Sequence, residues 1–149
     1  MFYERTSLKK VILGEGVETI GKKAFYHCGP LESLTISNTV ISIGDNAFEG
    51  CGSLESVTIP SSVRSIGAAA FWGCVKMYKL VISEGVKTVG GYAFAHCKKL
   101  HTLEIPSSIK EWGRDPFYAC GLYSVSIPKH YTRADINIFP ASQIIRRDE

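Results

Sequence analysis

The side chains best suited to chemistry are five cysteines and four histidines in a chain of 149 residues. The cysteines stand at Cys28, Cys51, Cys74, Cys97 and Cys120, each 23 residues after the last. A thiol can be a nucleophile, a metal ligand or half of a disulfide. Tetrahedral zinc needs four ligands converging on one point, and a single file of thiols does not converge. Strands stacked at about 4.8 Å would bring such neighbours within disulfide range, but their side chains point in parallel. Free core thiols are the expectation, with no metal site and no cofactor. His27 and His96 precede cysteines, which has the composition of a Cys–His nucleophile pair. Adjacent side chains in such a chain point in different directions, so His27, His96, His101 and His130 are expected on the surface or in loops. No G-x-S-x-G, H-E-x-x-H, C-x-x-C or phosphate-cradling glycine run occurs, and the carboxylates fall in unrelated places. These patterns predict a binder and no enzyme.

The interval between cysteines is the informative feature, because it belongs to a repeat. Phenylalanine recurs at Phe25, Phe48, Phe71, Phe94 and Phe117, and glycine at Gly21, Gly44, Gly67, Gly90 and Gly113. Val17, Val40, Val63, Val86 and Ile109 form another column, and Ile20, Ile43, Ile66, Val89 and Trp112 a third. An apolar triplet such as Leu54, Val57, Ile59 follows each cysteine. The unit reads L-x-x-L-x-I-(P/S)-x-x-V-x-x-I-G-x-x-A-F-x-x-C-x-x.

Leu34-Thr35-Ile36 and its equivalents alternate apolar and polar, the period of a strand with one buried face. Pro60 and Pro106 end their strands, since proline cannot donate to a ladder. The V-x-x-I-G stretch is expected to be extended too, with glycine allowing a sharp turn after it. The A-F-x-x-C piece suits one helical turn that drops Phe and Cys inward. A single coil cannot bury its apolar side, whereas stacked coils share one core. The phenylalanines should form its spine.

This unit resembles the BspA-like leucine-rich repeats, a 23-residue class of the leucine-rich-repeat superfamily. The resemblance covers nearly the whole chain. It implies a solenoid, a right-handed coil with a parallel sheet on one side, mostly β with short helical turns. It also implies a surface or secreted setting, adhesion and partner binding, and it supplies no catalytic residues.

Composition agrees with a folded interaction domain. Hydrophobic residues make up 45% and charged residues 21%, which excludes a disordered chain. The net charge of +3 is interspersed, which argues against nucleic acid as the partner. No apolar run reaches the ~18 residues that a membrane span needs. The opening Met1-Phe2-Tyr3-Glu4-Arg5-Thr6 has an early acid and no apolar block, so it does not read as a signal peptide. One domain is expected over 1–149. It comprises a partial first repeat (1–7), regular repeats (8–128) and a degenerate capping coil with its tail (129–149). Phe139 keeps the phenylalanine column, Tyr131 takes the valine column, and Arg146-Arg147-Asp148-Glu149 are expected to be solvated.

Only outward-facing residues remain to meet a partner. On the exposed strand face these are Lys10 and Ile12, Ser33 and Thr35, Ser56 and Thr58, Lys79 and Val81, Thr102 and Glu104, and Ser124 and Ser126. This is the candidate binding face. Arg64, Lys87 and Lys110 share a column and should form a basic stripe. The column after phenylalanine holds Tyr26, Glu49, Trp72, Ala95 and Tyr118, so Trp72 is a candidate exposed ring. A protein partner on the strand face is the leading expectation. A glycan or cell-wall ligand and a purely structural spacer are the alternatives.

Overall fold

The structure, a computed structural model, describes residues 4–132, 138–139 and 144–146. The chain winds as a parallel-strand solenoid of about six coils. One side carries β1 (Lys10–Leu13), β3 (Ser33–Ile36), β5 (Ser56–Ile59), β7 (Lys79–Ile82), β9 (Thr102–Glu104), β11 (Ser124–Ile127) and β12 (Ile144–Arg146). A second side carries β2 (Thr19–Ile20), β4 (Ser42–Ile43), β6 (Ser65–Ile66), β8 (Thr88–Val89) and β10 (Glu111–Trp112). The short strands are thus the V-x-x-I-G stretches, and they form one continuous five-stranded ladder. The longer strands pair as β1–β3, β5–β7 and β9–β11–β12, and no regular ladder joins β3 to β5 or β7 to β9. Every pairing is parallel; from β1 to β8 and β10 the partners are one 23-residue repeat apart, as in Ser56 with Lys79 and Ile59 with Ile82, while β9 with β11 and β11 with β12 pair residues 22 and 19 apart.

The phenylalanine column is the core's spine. Phe48, Phe71 and Phe94 are fully buried. Ring centroids from Phe25 to Phe117 follow each other at 5.1, 5.1, 5.4 and 5.5 Å, with the ring planes nearly parallel. Phe139 adds a further ring 5.3 Å beyond Phe117. Tyr131, in the valine column, is buried, and its hydroxyl donates to the Pro106 carbonyl at 2.7 Å. Its polar tip satisfies an otherwise open carbonyl, which valine could not do. In the tail, Arg146 is exposed, as a solvated residue would be, and is also part of the fold. That residue ends β12, and its guanidinium donates to the carbonyls of Lys129 and Tyr131. Residues 147–149 lie outside the described residues.

The A-F-x-x-C segment is not a helical turn, and no helix occurs among the described residues. It is a run of overlapping tight turns with two left-handed residues per coil. The first falls at Lys23, Asn46, Ala69, Tyr92 and Asp115, the second at His27, Gly50, Gly73, His96 and Ala119. Amides therefore alternate in direction. Ala24, Tyr26 and Cys28 donate to Gly21, Lys23 and Phe25 within their coil. Lys23, Phe25 and His27 donate to Asp45, Ala47 and Glu49 of the next. A helical turn would direct its amides along its own axis and leave these inter-coil acceptors unmatched, a costly outcome for buried backbone.

The glycine column also acts differently from the expected sharp turn. None of Gly21, Gly44, Gly67, Gly90 and Gly113 has a positive φ. Instead, a Cβ on Gly44 would lie 2.7 Å from the Lys22 amide nitrogen, and one on Gly67 2.5 Å from that of Asp45. Glycine is required because two backbones run too close for a side chain. At Gly21 a Cβ would meet nothing within 4 Å.

Two predictions follow from this packing. Phe71→Ala should cost ~3–5 kcal/mol in denaturant unfolding. Gly67→Ala should cost ~1–3 kcal/mol by overpacking, while Gly21→Ala stays near neutral. Equal melting of the two alanine variants would refute the close-approach role.

Candidate interaction face

The reactive side chains are absorbed by the core. Cys28, Cys51, Cys74 and Cys97 are buried free thiols, and Cys120 is partly exposed. The thiols of Cys51, Cys74, Cys97 and Cys120 donate to the carbonyls of Phe25, Phe48, Phe71 and Phe94 at 3.3, 3.4, 3.4 and 3.0 Å. Each sulfur thus ties its coil to the phenylalanine backbone of the coil before. Burial pushes the Cys51 thiol up to about 12 and that of Cys74 well above the ordinary thiol range. Cys120 is lowered instead, chiefly by the side-chain interaction with the neighbouring Cys97 thiol, against the opposing effect of burial. His27 stacks on Tyr26 at 4.0 Å, and His96 lies against Trp72 and Tyr118, so the imidazoles engage rings and not the adjacent thiols. Among the described residues no group of three or more His, Cys, Asp or Glu is placed to hold a metal ion. No helix there is long and apolar enough to cross a membrane.

The strand face presents the residues its alternation assigns to it. Lys10 and Ile12 stand beside Ser33 and Thr35, and Ser56 and Thr58 beside Lys79 and Val81. Thr102 and Glu104 stand beside Ser124 and Ser126. All are exposed except Ser124 and Ser126, which are half-buried. The face is not uniform along the solenoid. Between β7 and β9, where regular pairing lapses, lies a hollow of about 370 Å³. Its lining includes Tyr78, Lys79, Val81, Thr102, Glu104, Ser124 and Ser126. Tyr78, 58% accessible, borders it, and the exposed ring of Tyr123, 66% accessible and 5.5 Å from His101, belongs to the residue before Ser124. The backbone ladder aligns Tyr78 with Glu55 and Tyr123 with His101. Tyr78, His101 and Tyr123 therefore form an aromatic column along one edge of the face. The expected site residues omit it. Its signal is the same repeat spacing, confined to the last three regular coils, with Glu32 and Glu55 in that column earlier.

The basic stripe forms as a column. Lys87 donates its amide to the Arg64 carbonyl and Lys110 to that of Lys87, and all three side chains are exposed. Arg64 is the most restrained, its guanidinium bonding the Ser61 and Gly85 carbonyls at 2.6 and 3.3 Å.

A continuous parallel solenoid with a periodic Leu/Val/Ile/Phe core defines a leucine-rich-repeat protein. The sequence model described as the BspA type leucine rich repeat region matches in six copies, over residues 1–77 and 18–146. The chain belongs to that family. Among solved structures, it is similar to a Treponema pallidum leucine-rich repeat protein (TM-score 0.74, 26% identity), covering 93% of this chain and 68% of that one. It is also similar to a leucine-rich cell surface protein of Faecalibacterium prausnitzii (TM-score 0.76, 30% identity), covering 85% of this chain. The pneumococcal vaccine antigen PcpA shares the fold (TM-score 0.74, 24% identity), again over 85% of this chain. The chain spans 34% and 31% of the last two proteins. No curated protein matches the sequence.

Thiol access yields a direct check. Alkylation of the native protein with iodoacetamide, read by peptide mass spectrometry, should modify Cys120 first, with Cys51, Cys74 and Cys97 protected until unfolding. Early modification of Cys74 would contradict the buried ladder.

Proposed function

We propose that this chain is a non-catalytic interaction module that takes a protein partner on its strand face, centred on the hollow between β7 and β9. The observation that carries the reading is the aromatic edge beside that hollow. Tyrosine dominates the energetics of many interfaces because its large rigid ring loses little entropy on binding, and here exposed Tyr78 lines a mixed floor in which Leu80, Val81 and Leu103 lie among Lys79, Thr102, Glu104, Ser124 and Ser126, with exposed Tyr123 next in the chain to Ser124. Lys79 and Glu104 supply opposite charges within the same hollow, which favours an oriented polar partner over a purely apolar one. The face in the first two coils, with Lys10, Ile12, Ser33 and Thr35, has no comparable ring, and we assign it a peripheral role. Kinship with a cell surface protein and a vaccine antigen supports adhesion or host contact as the setting. The stripe of Arg64, Lys87 and Lys110 lies on another column and would add only screened, long-range attraction.

The test is quantitative capture from host-cell surface extracts with the wild-type chain and two variants. Tyr78→Ala combined with Tyr123→Ala should weaken retention of the captured protein about tenfold or more, a loss of ~1.4 kcal/mol. Lys87→Glu should leave it within about twofold. Unchanged retention by the tyrosine variant, at equal melting temperature, would exclude this face.

A further inference from the structure

Cys97 and Cys120 are neighbours in the thiol ladder, yet their surroundings differ sharply. Cys97 is fully buried between coils, whereas Cys120 is the one cysteine with partial exposure. Cys120 also lines a hollow of about 230 Å³, whose other walls include Phe117, Tyr118, Leu122, Ile138 and Phe139. A water molecule occupies about 30 Å³, so a small polar oxidant fits there beside the sulfur. The hollow lies where the repeat pattern decays: one residue separates Cys120 from Leu122, against two between Cys97 and Leu100.

The two thiols sit one ladder step apart. Cys97 donates to the Phe71 carbonyl and Cys120 to the Phe94 carbonyl, and the rings of those phenylalanines are 5.4 Å apart. The turn keeps the register of the earlier coils up to this point, with the Phe94 amide donating to Pro116 and that of His96 to Tyr118. Cα atoms about 5 Å apart fall inside the range of roughly 4.4–6.8 Å over which a disulfide closes. The sulfurs also act on each other. Their interaction lowers the Cys120 thiol and raises that of Cys97, where burial adds to the rise. Parallel side chains oppose a bridge in the closed part of the core, where neither sulfur has room to swing. Cys120 has the hollow beside it, so its sulfur can turn about the Cα–Cβ bond toward Cys97 for the loss of one 3.0 Å hydrogen bond.

We propose that Cys120 and Cys97 form a reversible oxidation site for hydrogen peroxide, with Cys120 the thiol that reacts first and Cys97 the thiol that resolves it. In the first step the Cys120 sulfur attacks one peroxide oxygen. The O–O bond breaks, an S–O bond forms, and the departing hydroxide takes the thiol proton and leaves as water. The peroxide is reduced by two electrons, and Cys120 becomes a sulfenic acid. In the second step the Cys97 sulfur attacks the Cys120 sulfur. The S–O bond breaks, and hydroxide leaves with the Cys97 proton as a second water. The product is a disulfide between the turns that carry Phe94 and Phe117. Oxidation-sensing cysteines combine thiolate character, solvent access and a neighbouring resolving thiol, and Cys120 is the position in this chain where the three meet. Cys51 and Cys74 have ladder neighbours but no access, and burial holds both as thiols. A bridge drawn between parallel side chains is strained, so a thiol reductant opens it again.

The experiment treats the reduced chain with submillimolar hydrogen peroxide, blocks the remaining thiols with N-ethylmaleimide and digests with trypsin under non-reducing conditions. Cleavage after Lys76, Lys98 and Arg114 places Cys74, Cys97 and Cys120 on separate peptides for mass spectrometry. A linked Cys97–Cys120 peptide pair should form within single chains, at least about tenfold faster than any modification of Cys74, and dithiothreitol should remove the link. In Cys97→Ala, dimedone should trap a sulfenic acid on Cys120. In Cys120→Ala, Cys97 should stay unmodified. Should either variant fail to fold, the linked pair from the unaltered chain decides alone. The proposal is overturned if Cys120 passes to sulfinic acid without linking, or if a Cys74–Cys97 link forms in equal yield. Links found only between two chains would also overturn it, as would the lack of any reaction at millimolar peroxide.

Discussion

The contact between one coil and the next sets everything else in this molecule. At that contact a turn amide donates forward to the following coil, a thiol donates back to the preceding one, and a phenylalanine ring lies flat on its counterpart. All of these links must share one spacing. Ring stacking tolerates little change in separation, backbone hydrogen bonds tolerate less, and buried amides left unmatched are costly. Each column is therefore held to one size and shape along the solenoid. Glycine is the extreme case, where backbone atoms of the neighbouring coil occupy the space of a Cβ.

That constraint separates the residues that build the array from those free to vary. The inward columns are nearly invariant along the chain, whereas the outward ones change from coil to coil. The changes are organised. Exposed aromatic rings gather in the later coils on both the strand and turn sides, at Trp72, Tyr78, Tyr118 and Tyr123. The strand face of the first coils carries serine, threonine, lysine and Ile12 instead. Chemical asymmetry of the surface is thus written onto a repeating scaffold, as the fold allows when each repeat contacts only its neighbours.

Much of the scaffold is legible from spacing alone. The columns of Phe71, Cys74, Val63 and Ile66 identify the inward positions, and alternation in β5 and β7 separates the buried from the exposed residues. The turn geometry is less legible. A three-residue gap between Phe71 and Cys74 fits a helical turn as well as a pair of tight turns. The left-handed positions at Lys23, Asn46, Ala69, Tyr92 and Asp115 carry no common residue that would mark them. The glycine column is visible, but its cause is not, because close approach of two coils is a tertiary fact. The expected face residues are aligned within three separate ladders, β1–β3, β5–β7 and β9–β11. Tyr78, His101 and Tyr123 escape notice because their column contains different residue types in the earlier coils. The last coil is also harder to read, since Tyr131 substitutes a hydroxyl contact for the packing of a valine and Arg146 uses its charge to close carbonyls.

The forward hydrogen bond from turn to turn is the most direct point of attack. Scalar couplings across hydrogen bonds, measured by NMR on isotopically labelled protein, identify the acceptor of each amide. The account predicts couplings from the Phe48 amide to the Ala70 carbonyl, from Phe71 to Ala93 and from Phe94 to Pro116. Couplings from those amides to carbonyls three or four residues earlier in their own coil would show a helical turn, and the stacking account would fail.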